Sequence, residues 1–416
     1  MILQELRIDP ARLVSGVERL GKIGALEGGG VCRLALTPSE KLGRDHLVAE
    51  MKALGLKVAI DPIGNIFGTR KGRREGPAVM LGSHIDTVAT GGLYDGALGV
   101  LAGLEVIATL NDGNIETDLP VVVAAFTNEE GARFAPDMLG SLVFVGGLPL
   151  ADALDIVSID GKRLGDELEA IGYAGTDQGP EEVAAYFELH IEQGPVLEDE
   201  KIEIGVVLGV QGISWTELTI RGRSAHAGTT PIRLRRDAGL AAARIAAGVG
   251  AFVRALGGDQ VGTVGAITLT PNLVNVVAEK AVMTVDLRNP DEALLQAAEA
   301  KLAALIEQIA GEEDVTIERR GLARFEPVDF TPALIENIDG TAKALGLSTR
   351  RLFSGAGHDA QMLARIAPAA MIFVPSVNGI SHNITEYTEP ADLANGANVL
   401  LQVTLKQALP TNGEEA

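Results

Sequence analysis

Five of the six histidines in the chain lie in separate short motifs, each close to an apolar run that is typical of a buried strand. These five histidines are His84, His190, His226, His358 and His382. Carboxylates occupy the same places, among them Asp86, Asp95 and the adjacent pair Glu129–Glu130. Imidazole nitrogens and carboxylate oxygens gathered at strand ends are the ligands of hydrolytic metal sites. The sequence therefore predicts a metal-dependent hydrolase.

The pair Glu129–Glu130 closes the apolar run VVVAAFT. Two adjacent carboxylates beside an apolar core repel each other unless a cation compensates them, so one can bind metal while its neighbour faces the substrate water. Asp86 stands two residues after His84, where a carboxylate can accept the second ring N–H of a ligating histidine. Asp95 precedes a predicted helix, so it can cap that helix, bind metal, or do both.

Two divalent ions that share one carboxylate account for this set of side chains. If Asp95 bridges the ions, it supplies two metal–ligand bonds. The other four ligands supply one bond each, which makes six in total: His84, His190, His382 and Glu130. Each ion then keeps an open position for a shared water, which the metal charge acidifies. Glu129 is left over as the general base, which takes the proton of the water and passes it to the leaving nitrogen.

Composition narrows the class of protein. A chain of 416 residues predicts two domains, and 46% hydrophobic residues with 50 glycines indicate a compact α/β protein. The net charge of −21 argues against nucleic acid or an anionic membrane as a partner. The single cysteine, Cys32, fits a reducing compartment, and the first 20 residues lack the pattern of a signal peptide. No uninterrupted apolar stretch approaches the roughly 20 residues of a membrane span, so we expect a cytoplasmic protein.

The order of the predicted elements indicates the positions of the motifs. Strands and helices alternate over the first half of the chain, which predicts a mostly parallel sheet with helices on both faces. Ligands bind beyond the carboxyl ends of such strands, so one sheet edge could collect the motifs. From residue 211 the pattern changes to antiparallel strands and two helices, an α+β module with a four-stranded sheet. We therefore predict a catalytic domain, 1–210 with 327–416, an inserted domain, 211–326, and a frayed tail, 409–416.

Seven motifs carry a resemblance to a known family: GSHIDTV, YDGALGV, TNEEGARF, ELHIEQGPVLE, GRSAHAGTTP, SGAGHDA and GISHNITEYT. They resemble the hydantoinase/carbamoylase-type amidases of the dinuclear-metal aminoacylase and carboxypeptidase superfamily. That group includes N-carbamoyl-L-amino acid amidohydrolases, allantoate amidohydrolases and β-ureidopropionases. The motifs follow the order of the family and cover nearly the whole chain.

The resemblance implies how the ligands divide between the ions. One ion would take His84, Asp95 and His190, the other Asp95, Glu130 and His382, and Glu129 matches the catalytic base of the family. The inserted domain would act as lid and dimerisation domain. His226 would stabilise the oxyanion of the tetrahedral intermediate, usually from the partner subunit of a homodimer.

Further residues match substrate-binding or supporting positions of the family. Arg288 and Asn275 would bind the substrate, with Arg288 clamping its carboxylate by a bidentate pair. The residues that would line the pocket are Gln193, Gly357 and His358. Asp86 and Glu386 are interpreted as carboxylates that hold the metal ligands in place, and His46 matches no motif.

The substrate remains open between several amides. Trp215 lies where we expect an allantoate-specific enzyme to carry a polar or basic group. An indole at this position favours N-carbamoyl-L-α-amino acids as substrates. The products would be the amino acid, CO2 and ammonia. Allantoate, a β-ureido acid, an N-acyl amino acid or a peptide are the alternatives. A catalytically silent metal-binding relative is the non-enzymatic alternative, against which Glu129 argues. Zn²⁺ or Mn²⁺ is the expected metal, and Co²⁺ or Ni²⁺ suit the same ligands.

Overall fold

The computed structural model describes residues 5–409, so the predicted frayed tail lies outside the described residues except for Leu409. The chain forms two compact units: a first unit of Met1–Leu208 with Phe330–Ala416, and a second unit of Gly209–Asp329. The second unit is thus an insertion in the sequence of the first. The sequence-based boundaries at 210/211 and 326/327 lie close to these points.

The chain contains these helices in the described part: α1 (Pro10–Gly21), α2 (Pro38–Ala53), α3 (Ala97–Asp112), α4 (Leu139–Phe144), α5 (Leu150–Leu154), α6 (Leu164–Ile171), α7 (Val196–Glu200), α8 (Ala238–Leu256), α9 (Glu292–Glu313), α10 (Pro332–Ala344), α11 (Asp359–Leu363) and α12 (Pro390–Ala408). Of these α-helices, α8 and α9 belong to the second unit, in agreement with the two helices expected there; the unit also contains a short 3-10 helix, Ile232–Leu234.

The strands follow in chain order: β1 (Lys57–Ile60), β2 (Ile66–Arg70), β3 (Ala78–His84), β4 (Val121–Phe126), β5 (Val183–Ile191), β6 (Ile204–Val210), β7 (Gly212–Arg221), β8 (Ala225–His226), β9 (Val261–Thr270), β10 (Val276–Val277), β11 (Lys280–Asn289), β12 (Thr316–Phe325), β13 (Val328–Asp329), β14 (Thr349–Ser354) and β15 (Ala369–Val374). The large sheet has the order β1-β2-β4-β3-β5-β15-β6-β13, with β14 paired to β6.

The centre of the large sheet is parallel, which confirms the predicted fold class. The strands β4, β3, β5 and β15 pair in parallel, whereas the pairs at either side, such as β2 with β4 and β15 with β6, are antiparallel. Every residue of β3, β4 and β15 is buried, as expected for strands covered on both faces. The helix α3 is buried all round from Ala97 to Leu110 and therefore acts as a core helix.

The second unit contains the predicted four-stranded antiparallel sheet, in the order β12-β7-β11-β9. Its core lies between one face of the sheet and the helices α8 and α9, with residues such as Leu218, Met283, Ile245 and Leu302. A separate two-stranded ribbon pairs β8 with β10. The open face of the sheet carries the side chains that alternate with those of the core.

One helix in residues 5–409, α8, is long and apolar enough to cross a membrane by length and composition. Arg244 and Arg254 interrupt its apolar sequence, so the helix is not an uninterrupted apolar stretch of that length. The helix packs one side into the core of the second unit through residues such as Ala241 and Ile245. Core helices of globular proteins can have the same length and composition.

Candidate metal centre

The predicted metal ligands of the first unit meet at one edge of the large sheet. His84 is the last residue of β3, His190 lies one residue before the end of β5, and Glu129–Glu130 follow β4. The parallel arrangement brings these strand ends together. His382 follows β15 in a loop, and Asp95 lies just before α3. Although some 300 positions separate them in the sequence, the five predicted ligands form one cluster.

Asp95 stands at the centre of this cluster. Its Oδ1 lies 3.2 Å from Nε2 of His190 and 3.8 Å from Nε2 of His84. Its Oδ2 lies 3.2 Å from Nε2 of His382. Residues 5–409 contain three groups of potential ligand atoms: one consists of Glu188, His190 and His358, and the other two share Asp95, one with His84 and His190 and one with Glu130 and His382. This is the division that the family resemblance implied.

The two adjacent glutamates point to different groups. Oε2 of Glu129 lies 3.3 Å from Nε2 of His84, and Oε2 of Glu130 lies 3.3 Å from Nε2 of His382. The second oxygen of Glu130 accepts a hydrogen bond from the backbone N–H of Val88 at 3.2 Å. The sequence Glu-Glu thus places one carboxylate at each half of the cluster.

The ring orientation of the two buried histidines is set by backbone carbonyls. Nδ1 of His84 lies 3.0 Å from the carbonyl oxygen of Asp86, and Nδ1 of His190 lies 2.9 Å from that of Ile191. With Nδ1–H as the donor, Nε2 of each ring presents a lone pair to the cluster. The predicted bond from His84 to the carboxylate of Asp86 is therefore replaced by one to its backbone, because the carboxylate is engaged elsewhere.

The carboxylate of Asp86 holds the turn after β4. Its two oxygens accept the backbone N–H groups of Glu129 and Glu130 at 3.2 and 3.3 Å. Glu386 does the same for another part of the site, since it accepts the backbone N–H groups of Tyr94 and Asp95 at 3.1 Å. Both residues were predicted as supporting carboxylates, and both lie where they can hold the ligands in place.

Three polar groups converge on Oδ2 of Asp95. Nε2 of Gln193 donates to it at 2.9 Å, and Oγ of Ser381 lies 3.1 Å away and also reaches Glu386 at 2.9 Å. His382 is the third neighbour of this oxygen. Gln193, predicted to line the pocket, therefore contacts the shared carboxylate directly.

Two glycines allow this close packing. A Cβ on Gly96, whose φ is +63°, would lie 2.3 Å from the ring of His84, and one on Gly92 would lie 2.1 Å from the carboxylate of Glu386. The backbone N–H of Gly96 also points to Nε2 of His190 at 3.1 Å. Only glycine fits at either position without moving a predicted ligand or its support.

The electrostatics of the cluster fit divalent cations. Burial, together with the neighbouring Asp359, raises the pKa of Glu129, and burial together with Asp95 raises that of Glu130. Burial lowers the pKa of His84 to about 4, which keeps the ring neutral at neutral pH. The hydrogen bonds to Asp95 act in the opposite direction on the other two rings, raising the pKa of His190 to about 9 despite its burial and raising that of His382. No lysine or arginine pairs with Asp95, Glu129 or Glu130 in residues 5–409. Buried carboxylates and imidazoles that have only each other as partners, with no lysine or arginine, have the chemistry of a cation site.

The distances lead to the same conclusion. Ligands about 2.1 Å from a tetrahedral ion lie about 3.4 Å from each other. The nitrogen–oxygen separations around Asp95, from 3.2 to 3.8 Å, match this spacing. The residues present therefore fit two divalent ions.

Three predicted functional residues belong to the second unit. His226 is exposed on β8, opposite Val276 of β10, and the carbonyl of Asn275 accepts the backbone N–H of Ala227 at 2.9 Å. Nδ1 of His226 accepts the backbone N–H groups of Gly228 and Thr229 at 3.0 and 3.3 Å. A neutral ring held in this way carries its proton on Nε2 and can donate it to a ligand.

The third residue, Arg288, lies on the open face of the four-stranded sheet. Its guanidinium binds the carboxylate of Asp286 through Nε at 3.1 Å and Nη2 at 2.8 Å. It also lies over the ring of Trp215, with 5.7 Å from Cζ to the ring centroid. Trp215 and Asp286 are direct cross-strand neighbours on β7 and β11, so the three side chains form one platform.

His358 and Gly357 lie beside the cluster. His358 is buried with its ring 4.5 Å from that of His190, and its Nε2 lies 2.9 Å from Oγ of Ser354. A Cβ on Gly357 would lie 2.9 Å from the side chain of Met138. His46 lies on α2, 3.7 Å from Glu50, and belongs to neither group of ligands.

Sequence reasoning missed two buried polar residues near the ligands. Arg33 is fully buried and donates to the carbonyl of Ile85, the residue between His84 and Asp86, at 3.0 Å. Glu188 is fully buried on β5, two residues before His190. A charged residue inside an otherwise apolar run, as in YFELHI, is the signal that could have indicated Glu188.

Comparisons with known proteins identify the same family. Residues 80–406 match the model of peptidase family M20/M25/M40. The chain is 43% identical to an N-carbamoyl-L-amino-acid amidohydrolase of Rhizobium meliloti, covering 97% of both sequences. It is 34% identical to a ureidoglycolate hydrolase of Arabidopsis thaliana, covering 98% of this chain and 88% of that protein. A crystal structure of a hydantoinase/carbamoylase family amidase from Burkholderia multivorans matches with a TM-score of 0.94 and 44% identity, over 97% of this chain and 99% of the other.

A sheet that gathers histidines and carboxylates at metal-binding distances at one edge is typical of metal-dependent hydrolases. With these matches, the chain belongs to peptidase family M20/M25/M40 and within it to the hydantoinase/carbamoylase-type amidases, hydrolases of linear amides. Members of this family generally depend on two metal ions. The family predicted from the sequence motifs is thereby confirmed.

Proposed function

We propose that the protein hydrolyses the ureido C–N bond of N-carbamoyl-L-α-amino acids with two divalent ions per subunit. The observation that carries this proposal is the shared carboxylate of Asp95, with His190 at one oxygen and His382 at the other, each at 3.2 Å. A carboxylate with a histidine at each oxygen suits a pair of ions roughly 3.5–4 Å apart. The name of the Rhizobium meliloti relative supports the substrate class.

Glu129 is the proposed general base. Divalent ions held by the cluster would acidify a water and polarise the carbonyl of the substrate. Glu129 is buried, and the ligand groups do not require it, because Glu130 and His382 complete the second group. Its carboxylate takes a proton from the attacking water and delivers it to the nitrogen of the amino acid as that nitrogen leaves. The other product, carbamic acid, decomposes to CO2 and ammonia.

His226 is the proposed donor to the oxyanion. Its Nδ1 is occupied by two backbone N–H groups, so the proton on Nε2 is available to an oxygen that gains negative charge. The exposed ribbon of β8 and β10 also carries Asn275, which we propose as a substrate contact. Following the family resemblance, the donor at each site is His226 of the partner subunit, and the second unit acts as a lid.

Arg288 is the proposed clamp for the substrate carboxylate. Asp286 and Trp215 hold its guanidinium plane in one orientation on the open face of the sheet. A guanidinium in a fixed plane binds a carboxylate with less loss of side-chain entropy. Trp215 adds an apolar surface against which the side chain of an N-carbamoyl amino acid can pack.

The two edges of the four-stranded sheet favour a homodimer formed by the second unit. The edge strand β12 carries four charged residues, which protect an edge from pairing. The opposite edge, β9, carries none, is mostly exposed, and presents Val261 and Ile267 to solvent at 47% and 45% exposure. An uncharged, apolar edge strand is suited to pairing with another chain, so we propose that β9 and the adjacent α8 contact a second copy.

A second candidate substrate class follows from the plant relative. The ureidoglycolate hydrolase of Arabidopsis thaliana shares 34% identity over nearly the whole chain, and ureidoglycolate also combines a ureido group with a carboxylate. Arg288 would serve either substrate. The indole of Trp215 favours the N-carbamoyl amino acids, because it offers no hydrogen-bond acceptor and only one donor for additional polar groups.

Ammonia release from a substrate panel tests the proposal. The purified protein is supplied with Zn²⁺, Mn²⁺, Co²⁺ or Ni²⁺. It is incubated with N-carbamoyl-L-amino acids, their D-enantiomers, allantoate, ureidoglycolate and N-carbamoyl-β-alanine, and the ammonia released is measured. N-acetyl amino acids release no ammonia, so they are assayed by release of the amino acid. We expect the highest kcat/KM for an N-carbamoyl-L-α-amino acid. A higher value for ureidoglycolate would select the second candidate, and a higher value for allantoate would contradict both. Elemental analysis of the active protein should give two ions per chain, and Asp95→Asn should lower the occupancy of both.

A further inference from the structure

Glu188 is a buried carboxylate that the proposed reaction does not use. It lies on β5 two residues before His190, so the two side chains project from the same face of the strand. Its relative exposure is 0%. A carboxylate in such a place is costly to fold unless hydrogen bonds satisfy its oxygens, so its partners indicate what it does for the protein.

Three donors from three different segments satisfy the two oxygens of Glu188. Oγ of Ser83 donates to Oε1 at 2.6 Å. The backbone N–H of Ala360 donates to Oε2 at 2.8 Å, and the hydroxyl of Tyr186 reaches the same oxygen at 3.2 Å. The shortest of these bonds leads to β3, the next to the first turn of α11, and the last stays within β5.

Each of these segments carries a histidine of the site or of its surroundings. Ser83 directly precedes His84, and Ala360 follows His358 by two residues. The ring of His358 in turn lies against that of His190, with 4.5 Å between the ring centroids. Glu188 therefore connects the strand of His84, the strand of His190 and the residue that supports the ring of His190.

We propose that Glu188 is a positioning residue that fixes His84 and His190 relative to each other and so shapes one of the two ligand groups. The inference rests on the proposed pair of ion sites. The second group has its own support in Glu386, which binds the backbone of Asp95 and the side chain of Ser381, next to His382. Loss of Glu188 should consequently affect the ion at His84 and His190 more than the ion at Glu130 and His382.

The test is a titration of metal-free full-length protein with Co²⁺, followed by its visible absorption spectrum. In Glu188→Leu, of similar volume but without acceptors, we expect one of the two Co²⁺ ions to bind about 10- to 100-fold more weakly. The other ion should bind as in the wild type, and kcat should fall more than KM rises. Glu188→Gln retains an acceptor for Ala360 and Tyr186 and should restore most of the affinity.

Glu105→Leu is the matched control. Glu105 is also buried, and it binds the backbone N–H of Asp9 and the guanidinium of Arg12 on α1, apart from the ligand groups. This variant should lower the melting temperature without changing the affinity for either Co²⁺ ion. Ser83→Ala, which removes only the hydroxyl donor, should weaken the same ion as Glu188→Leu and tests the inference even if the leucine variant does not fold.

Two results would overturn the inference. The first is a Glu188→Leu variant that binds both ions with wild-type affinity, which would show that Glu188 does not position the histidines. If the leucine variant does not fold, wild-type affinity in Ser83→Ala would show the same. An equal loss of both ions, matched by Glu105→Leu, would show a general effect of destabilisation. The number of Co²⁺ ions bound by the wild-type protein is measured first. A value below two per chain would contradict the proposed ion pair rather than the role of Glu188.

Discussion

The predicted functional side chains of the two units differ in how firmly the surrounding structure holds them. In the first unit Asp95 is 4% exposed, and side chains such as those of Gln193 and Ser381 donate hydrogen bonds to its carboxylate. In the second unit His226 is exposed, and its ring accepts hydrogen bonds from the backbone of its own turn. A buried, fully bonded group can change partners only at high cost, whereas an exposed imidazole can do so readily. Folding therefore fixes the arrangement of the proposed ligand cluster, while the ring of His226 can still change its hydrogen-bond partners.

The largest expected effect separates the two adjacent glutamates within the cluster. Glu129→Gln should lower kcat by about 1,000-fold or more, because the amide cannot accept the proton of the water, while both ions stay bound. Glu130→Gln should instead lower the affinity for one ion. Steady-state kinetics and elemental analysis of both variants provide the measurement. Substantial activity in Glu129→Gln would show that another group is the base.

The next effect concerns the exposed histidine. His226→Ala should lower kcat by about 100- to 1,000-fold, the cost of removing one donor to an oxyanion, and should leave the metal content unchanged. His46→Ala is a suitable control, because His46 belongs to neither ligand group and should leave kcat unchanged. Loss of metal in His226→Ala would contradict the separation between the two sets of residues.

Mixing two inactive variants tests whether His226 acts across a dimer. Heterodimers of His226→Ala with Glu129→Gln would contain one site with both an intact base and an intact donor. Activity should recover to about half of the wild-type value per heterodimer. A mixture that exchanges its subunits and stays inactive would show that His226 serves its own subunit or none.

A smaller effect is expected at the clamp for the carboxylate. Arg288→Lys should raise KM for N-carbamoyl amino acids by about 10- to 100-fold and change kcat less, because an ammonium cannot form the bidentate pair. The amides of the same substrates, which lack the carboxylate, should show little difference between the variant and the wild type. Equal losses for both kinds of substrate would point to a disturbed sheet instead.

The smallest effect is expected at Trp215. Trp215→Phe keeps an aromatic ring beneath Arg288 but reduces its area, so KM should rise only by about two- to fivefold. The increase should be larger for substrates with bulky apolar side chains than for N-carbamoylglycine. A uniform change for all substrates would indicate that Trp215 acts only through Arg288.

Much of the fold, and the grouping of the proposed ligands at one edge of the sheet, could be predicted because each rests on a local signal. The buried strands β3 and β4 are uninterrupted apolar runs, and the ligands follow the strands within a few residues. The edge strand β12 gives no comparable signal, since it is exposed on both faces and its sequence does not alternate. The hydrogen bond from His84 to the backbone of Asp86 was also beyond prediction, because it depends on where β4 brings Glu129 and Glu130.

Gly96 and Gly92 have a consequence for how this protein tolerates change. Neither residue has a side chain that could take part in chemistry, yet a methyl group on either would collide with His84 or Glu386. In a saturation library scored for activity, both positions should reject alanine as strictly as the ligand positions reject their own substitutions. Two relatives could therefore retain every histidine and carboxylate of the site and still differ in activity, if one of them had lost either glycine.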